Sequence, residues 1–209
     1  MPTNSTARDR LLSLLRAKSV FHGDFVLSSG AKSTYYIDCR LTTLDPEGAS
    51  LVGEVMHSLI RDEASRRDLR VNAIGGLTMG ADPIALAAGI RSFVVDAPSA
   101  WQTFVVRKTP KSHGQTKLIE GNFKSGDTAV VLDDVVTRGD STIAAIRAVE
   151  QAGGKVLFVA VLVDRQEGGR QKIEALGYPV ISAFVRDELI QTDAKRSLAS
   201  CVASGSGLR

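Results

Sequence analysis

One stretch constrains the fold more than any other. Over residues 129–163 a short apolar run, a polar turn, an amphipathic segment and a second apolar run follow in that order. The two runs, AVVL at 129–132 and VLFVAVLV at 156–163, show no alternation of apolar and polar residues, so each strand buries both faces, as in a parallel sheet. Between them Ile143, Ile146 and Val149 recur at helical spacing, and Gly153 and Gly154 end that helix. Parallel strands need a crossover of this length, so the stretch reads as a βαβ unit.

The rest of the chain is compatible with that unit. Residues 73–74 and 104–106 are further short apolar runs, and 180–184 is a last one. Asp45 before Pro46 opens a helix whose Leu51, Val55, Met56, Leu59 and Ile60 share a core-facing side. An earlier helix, capped by Ser5 or Thr6, carries Leu11, Leu12, Leu14 and Leu15 and is expected to pack as part of a hood. The expected fold is α/β, a central mainly parallel sheet flanked by helices, as a single domain over 1–209. Residues 1–45 contribute the hood, 180–184 is a candidate addition to it, and 204–209 is a loose tail.

Composition narrows the function classes. With 44% hydrophobic and 23% charged residues the chain has the balance of a soluble globular protein. No run reaches the roughly 18 apolar residues of a membrane helix, and residues 1–10 lack the apolar stretch of a secretory signal, so a cytoplasmic location is expected. Cys39 and Cys201 lie far apart with no metal-ligand spacing around them, so buried inert thiols are the expectation. A net charge of +3 favours anionic partners, for which a phosphorylated small molecule suffices without nucleic acid.

The chemistry concentrates in VVLDDVVTRGDST at 130–142, where a buried strand runs into two acids, a polar loop and a helix start. Ligands of open α/β sheets bind beyond the carboxyl ends of the strands, where Asp133 and Asp134 stand, able to grip sugar hydroxyls. The loop Thr137, Arg138, Gly139, Asp140, Ser141 offers backbone N–H groups, two hydroxyls and a helix dipole to a phosphate. A turn-and-cap role for the two acids is the bland alternative, but it does not need the Thr, Gly, Ser and Thr that follow. Neither G-x-x-x-x-G-K-S/T nor G-x-G-x-x-G occurs, which disfavours an NTPase or a dehydrogenase.

This run resembles the phosphoribosyl pyrophosphate signature of type I phosphoribosyltransferases, with Arg138 and Asp140 where many members carry small or hydroxyl residues. Asp140 is expected to turn its carboxylate outward, since a phosphate would repel it. A second segment, FVVRKTPKSHGQTKLIEG at 104–121, is similar to the catalytic loop of orotate phosphoribosyltransferases at Arg107, Lys108, Lys111 and His113. A third, VDRQEGG at 163–169, resembles that family's orotate-contacting element. There Arg165 suits a carboxylate, because a guanidinium fork meets it with two parallel hydrogen bonds. A surface pairing of Arg165 with Asp164 or Glu167 is the competing reading.

FHGDFVLSSGAKSTYYIDCR at 21–40 looks like the family's pocket cover. Tyr35 and Tyr36 either line a flat pocket or simply pack in a sheet. Ser28 and Met79 stand where many bacterial members carry phosphate-contacting lysines, as in the actinobacterial branch. Gly75, Gly76 and Gly80 suit a loop approaching pyrophosphate, and Asp82 is placed to assist a metal-bound water.

The resemblance implies transfer of a phosphoribosyl group from phosphoribosyl pyrophosphate to orotate, with Mg2+ held mainly through substrate and no direct protein ligand assigned. It also implies a phosphoribosyl pyrophosphate site formed by Arg107, Lys108, Lys111, His113, Asp133, Asp134, Val135, Val136, Thr137, Arg138, Gly139, Asp140 and Ser141. Thr137 and Arg165 are the expected orotate contacts, and Lys111, His113, Asp133 and Asp134 the expected catalytic groups. A homodimer whose catalytic loop crosses the interface follows from the same likeness. A phosphoribosyltransferase for another base, or a non-catalytic sensor of the same fold, are the rivals.

Overall fold

The computed structural model describes residues 6–26, 32–109 and 118–190. Helix α1 (Ala7–Lys18) leads into a hairpin of β1 (Val20–Val26) and β2 (Lys32–Ile37). The short α2 (Arg40–Thr43), the long α3 (Pro46–Arg66), β3 (Ala73–Leu77) and α4 (Ala81–Val95) follow. Next come β4 (Gln102–Val106), β5 (Ile119–Gly121), β6 (Thr128–Val136), α5 (Asp140–Gln151), β7 (Lys155–Asp164), α6 (Gly169–Glu174), β8 (Val180–Val185) and α7 (Arg186–Ile190).

Six strands form one sheet in the order β5-β4-β3-β6-β7-β8. All neighbouring pairs are parallel except β5, which runs antiparallel to β4. The βαβ unit lies at its middle, with Leu132 of β6 opposite Ala160 of β7 and Asp133 opposite Val161. Both faces are covered, which is why neither strand alternates in sequence. Val130, Leu132, Phe158, Ala160 and Leu162 pack toward Leu11, Leu15, Met56, Ile60 and Ile84. Val131, Val159 and Val161 pack toward Ile143, Ile146, Val149 and Ile173.

Helix starts follow the sequence chemistry. The Thr6 hydroxyl accepts from Asp9 N–H while the Asp9 carboxylate accepts from Thr6 N–H, a reciprocal cap, and Asp45 caps α3 by accepting from Gly48 N–H with Pro46 behind it.

Two expectations about the hood change. Residues 180–185 do not join it: β8 pairs in parallel with β7, Val163 opposite Phe184, and Phe184 is buried in the main core. That run is too short for its period to reveal where it pairs. Helix α1 is likewise part of the body, since Leu11 and Leu15 are fully buried against the same core as α3. Among the described residues the hood is therefore the β1–β2 hairpin, a two-stranded sheet of its own. No helix among the described residues is long and apolar enough to cross a membrane.

Candidate active site

The carboxyl ends of β3, β6 and β7 meet at one edge of the sheet. Asp133, the sixth residue of β6, is only 5% exposed. Its Oδ2 accepts from the Ser141 hydroxyl at 2.8 Å and from the fully buried Thr142 hydroxyl at 2.7 Å. The carboxylate thus ties the end of the strand to the first turn of α5. This alters one expectation: the Ser141 hydroxyl donates to Asp133, so of the loop's two hydroxyls only Thr137's is left beside the backbone N–H groups as an anion donor. The N–H groups of the first turn of α5 have no acceptor inside the helix. Gly139 precedes that turn with φ of +79°, a left-handed conformation that glycine adopts without penalty and that sets the loop's sharp entry into the helix.

Asp134 is more open than Asp133. Its Oδ1 accepts from Val135 N–H at 2.9 Å. Burial pushes both carboxyls above the ordinary aspartate range; for Asp134 the adjacent Asp133 charge adds to it, and for Asp133 the hydrogen bonds from Thr142 and Ser141 oppose it.

The loop after β3 closes against this pair. A Cβ on Gly80 would stand 2.3 Å from Asp134 Oδ1, so any larger residue would push the carboxylate from the place it holds here. Gly75 and Gly76, expected in the same loop, lie inside β3 instead, where a Cβ would meet Phe104 O at 2.1 Å or Leu132 O at 2.0 Å. They serve close strand packing. Asp82, in the first turn of α4, accepts from the Thr78 hydroxyl at 2.7 Å, and its Oδ1 is buried without a hydrogen-bond partner among the described residues. Met79 is exposed.

Asp140 and Arg138 are both exposed, and Asp140 Oδ1 lies 2.5 Å from Lys172 Nζ on α6. Val136 is buried, while Val135 and Thr137 are half-buried.

The third motif joins this edge through the backbone. Arg165 N–H donates to Val136 O at 3.0 Å and Gly169 N–H to Thr137 O at 3.0 Å, so the arginine begins beside the phosphate loop. Its side chain is 8% exposed, and Nη2 lies 2.9 Å from Glu167 Oε1. That contact is not aligned as a hydrogen bond: Nε and Nη2 are both buried and unbonded among the described residues. The guanidinium carbon sits 5.4 Å from the Tyr35 ring centroid, and the Tyr35 hydroxyl donates to Glu167 Oε1 at 3.4 Å. The competing pairing with Glu167 therefore exists, but at a buried position under the hood.

The two tyrosines part company. Tyr35 faces Arg165, whereas Tyr36 packs on Phe25 and Phe21 at ring distances of 5.8 and 6.5 Å. Arg107 leaves β4 with its side chain near Glu120, and Lys108 is exposed. Lys111, His113 and Ser28 lie outside the described residues. Cys39 is a fully buried free thiol, its pKa raised by burial, and Cys201 lies outside the described residues. Sequence reading missed Gly80 as a neighbour of Asp134, Thr142 as a partner of Asp133, and Glu167 as a partner of Tyr35. Only Thr142 carried a signal, as a hydroxyl one helical step past the loop.

No family model matches the chain. Curated relatives do. The chain is 44% identical over 177 residues to the orotate phosphoribosyltransferase of Tropheryma whipplei (strain Twist), covering 85% of this chain and 79% of that protein. It is 42% identical over 186 residues to that of Aquifex aeolicus, covering 88% and 97%. Among solved structures, Mycobacterium tuberculosis orotate phosphoribosyltransferase in complex with Fe(III) dicitrate superposes with a TM-score of 0.74 at 38% identity, over 89% of this chain and 100% of that one. The same enzyme in complex with phosphoribosyl pyrophosphate superposes at 0.70 and 35% identity, over 88% and 99%. The fold described above is thus that of a type I phosphoribosyltransferase, and on the curated relatives this chain belongs to the orotate phosphoribosyltransferase family.

Proposed function

We infer that this protein transfers the 5-phosphoribosyl group of phosphoribosyl pyrophosphate to N1 of orotate, giving orotidine 5'-monophosphate and pyrophosphate in pyrimidine biosynthesis. One observation carries the reading: a buried guanidinium with two unbonded N–H groups lies hydrogen-bonded through its backbone to the loop after Asp133 and Asp134. A planar base bearing a carboxylate suits the former, and a ribose 5-phosphate the latter.

In the proposed reaction the 5'-phosphate takes the backbone N–H groups of Thr137, Arg138, Gly139, Asp140 and Ser141, and Asp134 faces the ribose hydroxyls, while Asp133 keeps the loop in shape. Orotate, its carboxylate on Arg165 and its ring beside Tyr35 and Thr137, presents N1 to C1 of the ribose. The N1–C1 bond forms as the bond from C1 to the pyrophosphate oxygen breaks; that oxygen leaves with the electron pair, and the proton lost from orotate N1 passes to the departing pyrophosphate. Arg107, Lys108, Lys111 and His113 supply the positive charge that offsets the charge on the departing group.

The residues present fit a Mg2+ ion held mainly by substrate. The buried Oδ1 of Asp82 lacks a hydrogen-bond partner among the described residues and is an oxygen of the kind that a metal-bound water would meet. When bound, the ion supplies Lewis-acid stabilisation of the leaving pyrophosphate.

The same reading takes the chain as one domain over residues 1–209, acting in the cytoplasm on small molecules, as a homodimer in which each catalytic loop completes the partner's site. In support of the dimer, α4 exposes Leu86, Ile90, Phe93 and Val94, each more than half accessible, an apolar stripe of the kind that a second subunit covers.

The test is the ultraviolet absorbance of orotate mixed with protein, phosphoribosyl pyrophosphate and Mg2+, beside a control with the metal chelated. A metal-dependent loss of orotate absorbance with matching pyrophosphate release is expected. Unchanged absorbance with phosphoribosyl pyrophosphate still bound would move the assignment to another base or to a sensor.

A further inference from the structure

The free donors of Arg165 suit the base carboxylate, but the transfer reaction does not explain how Glu167 is placed against them. A buried guanidinium needs an opposite charge beside it, because a lone charge in a dry site is costly. Glu167 supplies that charge, but in an unusual manner. Its Oε1 is 2.9 Å from Nη2, yet neither Nη2 nor Nε makes a hydrogen bond. Nε and Nη2 form one edge of the fork, the edge that meets a carboxylate with two parallel bonds. Glu167 therefore stands against one end of that edge and neutralises Arg165 without making either of the edge's two hydrogen bonds.

The backbone is shaped to put it there. Gln166, between the two residues, has φ of +57°, a left-handed conformation that costs a non-glycine residue. That turn folds Glu167 back over Arg165 and is braced by Gln166 N–H donating to Asp164 Oδ1 at 2.8 Å. The same Glu167 Oε1 is reached by the Tyr35 hydroxyl at 3.4 Å, a long and weak bond from the hood. The Glu167 side chain is 31% exposed, so it has room to leave.

We propose that Glu167 is an exchangeable counter-ion, which yields Arg165 to the carboxylate of the incoming base and returns to it as the carboxylate-bearing product leaves. This rests on the reading that the base is orotate. Both substrate and product carry the carboxylate, so an internal competitor weakens both equally. It thereby shortens the life of the product complex while leaving the emptied arginine neutralised. Because the Tyr35 hydroxyl holds the same oxygen, exchange at Arg165 also releases the hood's bond at that point.

The experiment compares wild type, Glu167→Gln and Glu167→Asp in calorimetric binding of orotidine 5'-monophosphate, together with KM for orotate at saturating phosphoribosyl pyrophosphate. Glu167→Gln removes the competing charge at nearly constant shape. It is expected to lower both the product Kd and the orotate KM by roughly three- to tenfold, the scale of one screened charge pair, with KM for phosphoribosyl pyrophosphate unchanged. Glu167→Asp keeps the charge but withdraws it by one methylene, and should tighten both by a smaller factor. It also serves as the second reading if the Gln variant folds poorly. Equal or weaker product binding in both variants would overturn the proposal and make Glu167 a fixed positioning partner of Arg165. If wild type itself neither binds orotidine 5'-monophosphate nor consumes orotate, the base assignment fails and the proposal falls with it. Wild-type binding that Arg165→Ala abolishes and Glu167→Gln leaves unchanged defeats the counter-ion alone.

Discussion

The phosphate half and the base half of the cleft are built on opposite principles. Asp133 meets its two hydroxyl partners eight and nine residues further along the chain, within one strand-loop-helix unit, and both bonds are 2.8 Å or shorter. Arg165 and Glu167 meet Tyr35 from 132 residues away in the case of the Glu167 bond, which is 3.4 Å long, and two guanidinium donors stay unbonded. In the first half the Asp133 carboxylate is satisfied before any ligand arrives, and what remains for a phosphate is backbone N–H. The other keeps side-chain hydrogen-bonding capacity in reserve, and that capacity is what a carboxylate-bearing ligand can use.

The largest effect that sharpens this contrast is expected from Arg165→Ala. Hydrogen bonds to charged groups are each worth about 1.5–3 kcal/mol, so losing the fork should lower kcat/KM for orotate by about a hundredfold or more. KM for phosphoribosyl pyrophosphate should stay within about twofold, because the loop after Asp133 has its own internal bonds. Steady-state rates with each substrate varied in turn check this. A comparable loss for both substrates would mean that the two halves form one coupled unit.

The contrast also explains what could be read from the sequence. The run from Val130 to Thr142 was legible because every element of it is local: an apolar strand, two acids, a glycine and hydroxyls at a helix start. Arg165 was legible from its motif and the sheet edge. Glu167 stood in the same motif without revealing its partner, since Tyr35 reaches it only through the fold and through the left-handed turn at Gln166. Likewise Gly75 and Gly76 read as loop glycines because sequence does not show that β3 runs so close to β4 and β6 that a Cβ would touch their carbonyls. The run at 180–184 stood as a candidate addition to the hood for the same reason: its pairing with β7 is a long-range fact.

The phosphate half should also carry a cost in charge, and Asp134→Asn measures it. Burial and the Asp133 charge raise the Asp134 pKa in the folded protein. The folded state therefore holds its proton at pH values where the unfolded chain has released it. Stability from this source is fully present below the ordinary aspartate value of 3.8 and is lost as pH rises through the raised one. In the substrate-free protein, Asp134→Asn should flatten that decline and raise Tm near pH 8 by on the order of 2–4 °C, as read by differential scanning calorimetry across pH. Asn retains the acceptor for Val135 N–H, so packing is not disturbed. A lower Tm at pH 8 would show that the carboxylate stabilises the empty site.

The smallest effect belongs to the rim of the phosphate half. Lys172 pairs with Asp140 at 2.5 Å, but the two side chains are 50% and 71% exposed, so water already screens both. The Lys172 charge holds the Asp140 carboxyl below its ordinary range, with the hydrogen bond as the main cause. In Lys172→Ala the carboxylate stays ionised at neutral pH and merely loses its neighbour. Tm should move by less than about 2 °C, the outcome usual for an exposed pair. What changes is the field at the loop: an uncompensated negative charge beside the phosphate seat should raise KM for phosphoribosyl pyrophosphate by at most about threefold at low salt. That increment should vanish near 1 M salt, where the Debye length falls to about 3 Å. An increment that survives high salt would mean that Lys172 fixes the loop's shape, and that the phosphate half is less self-contained than the bonds within residues 133–142 imply.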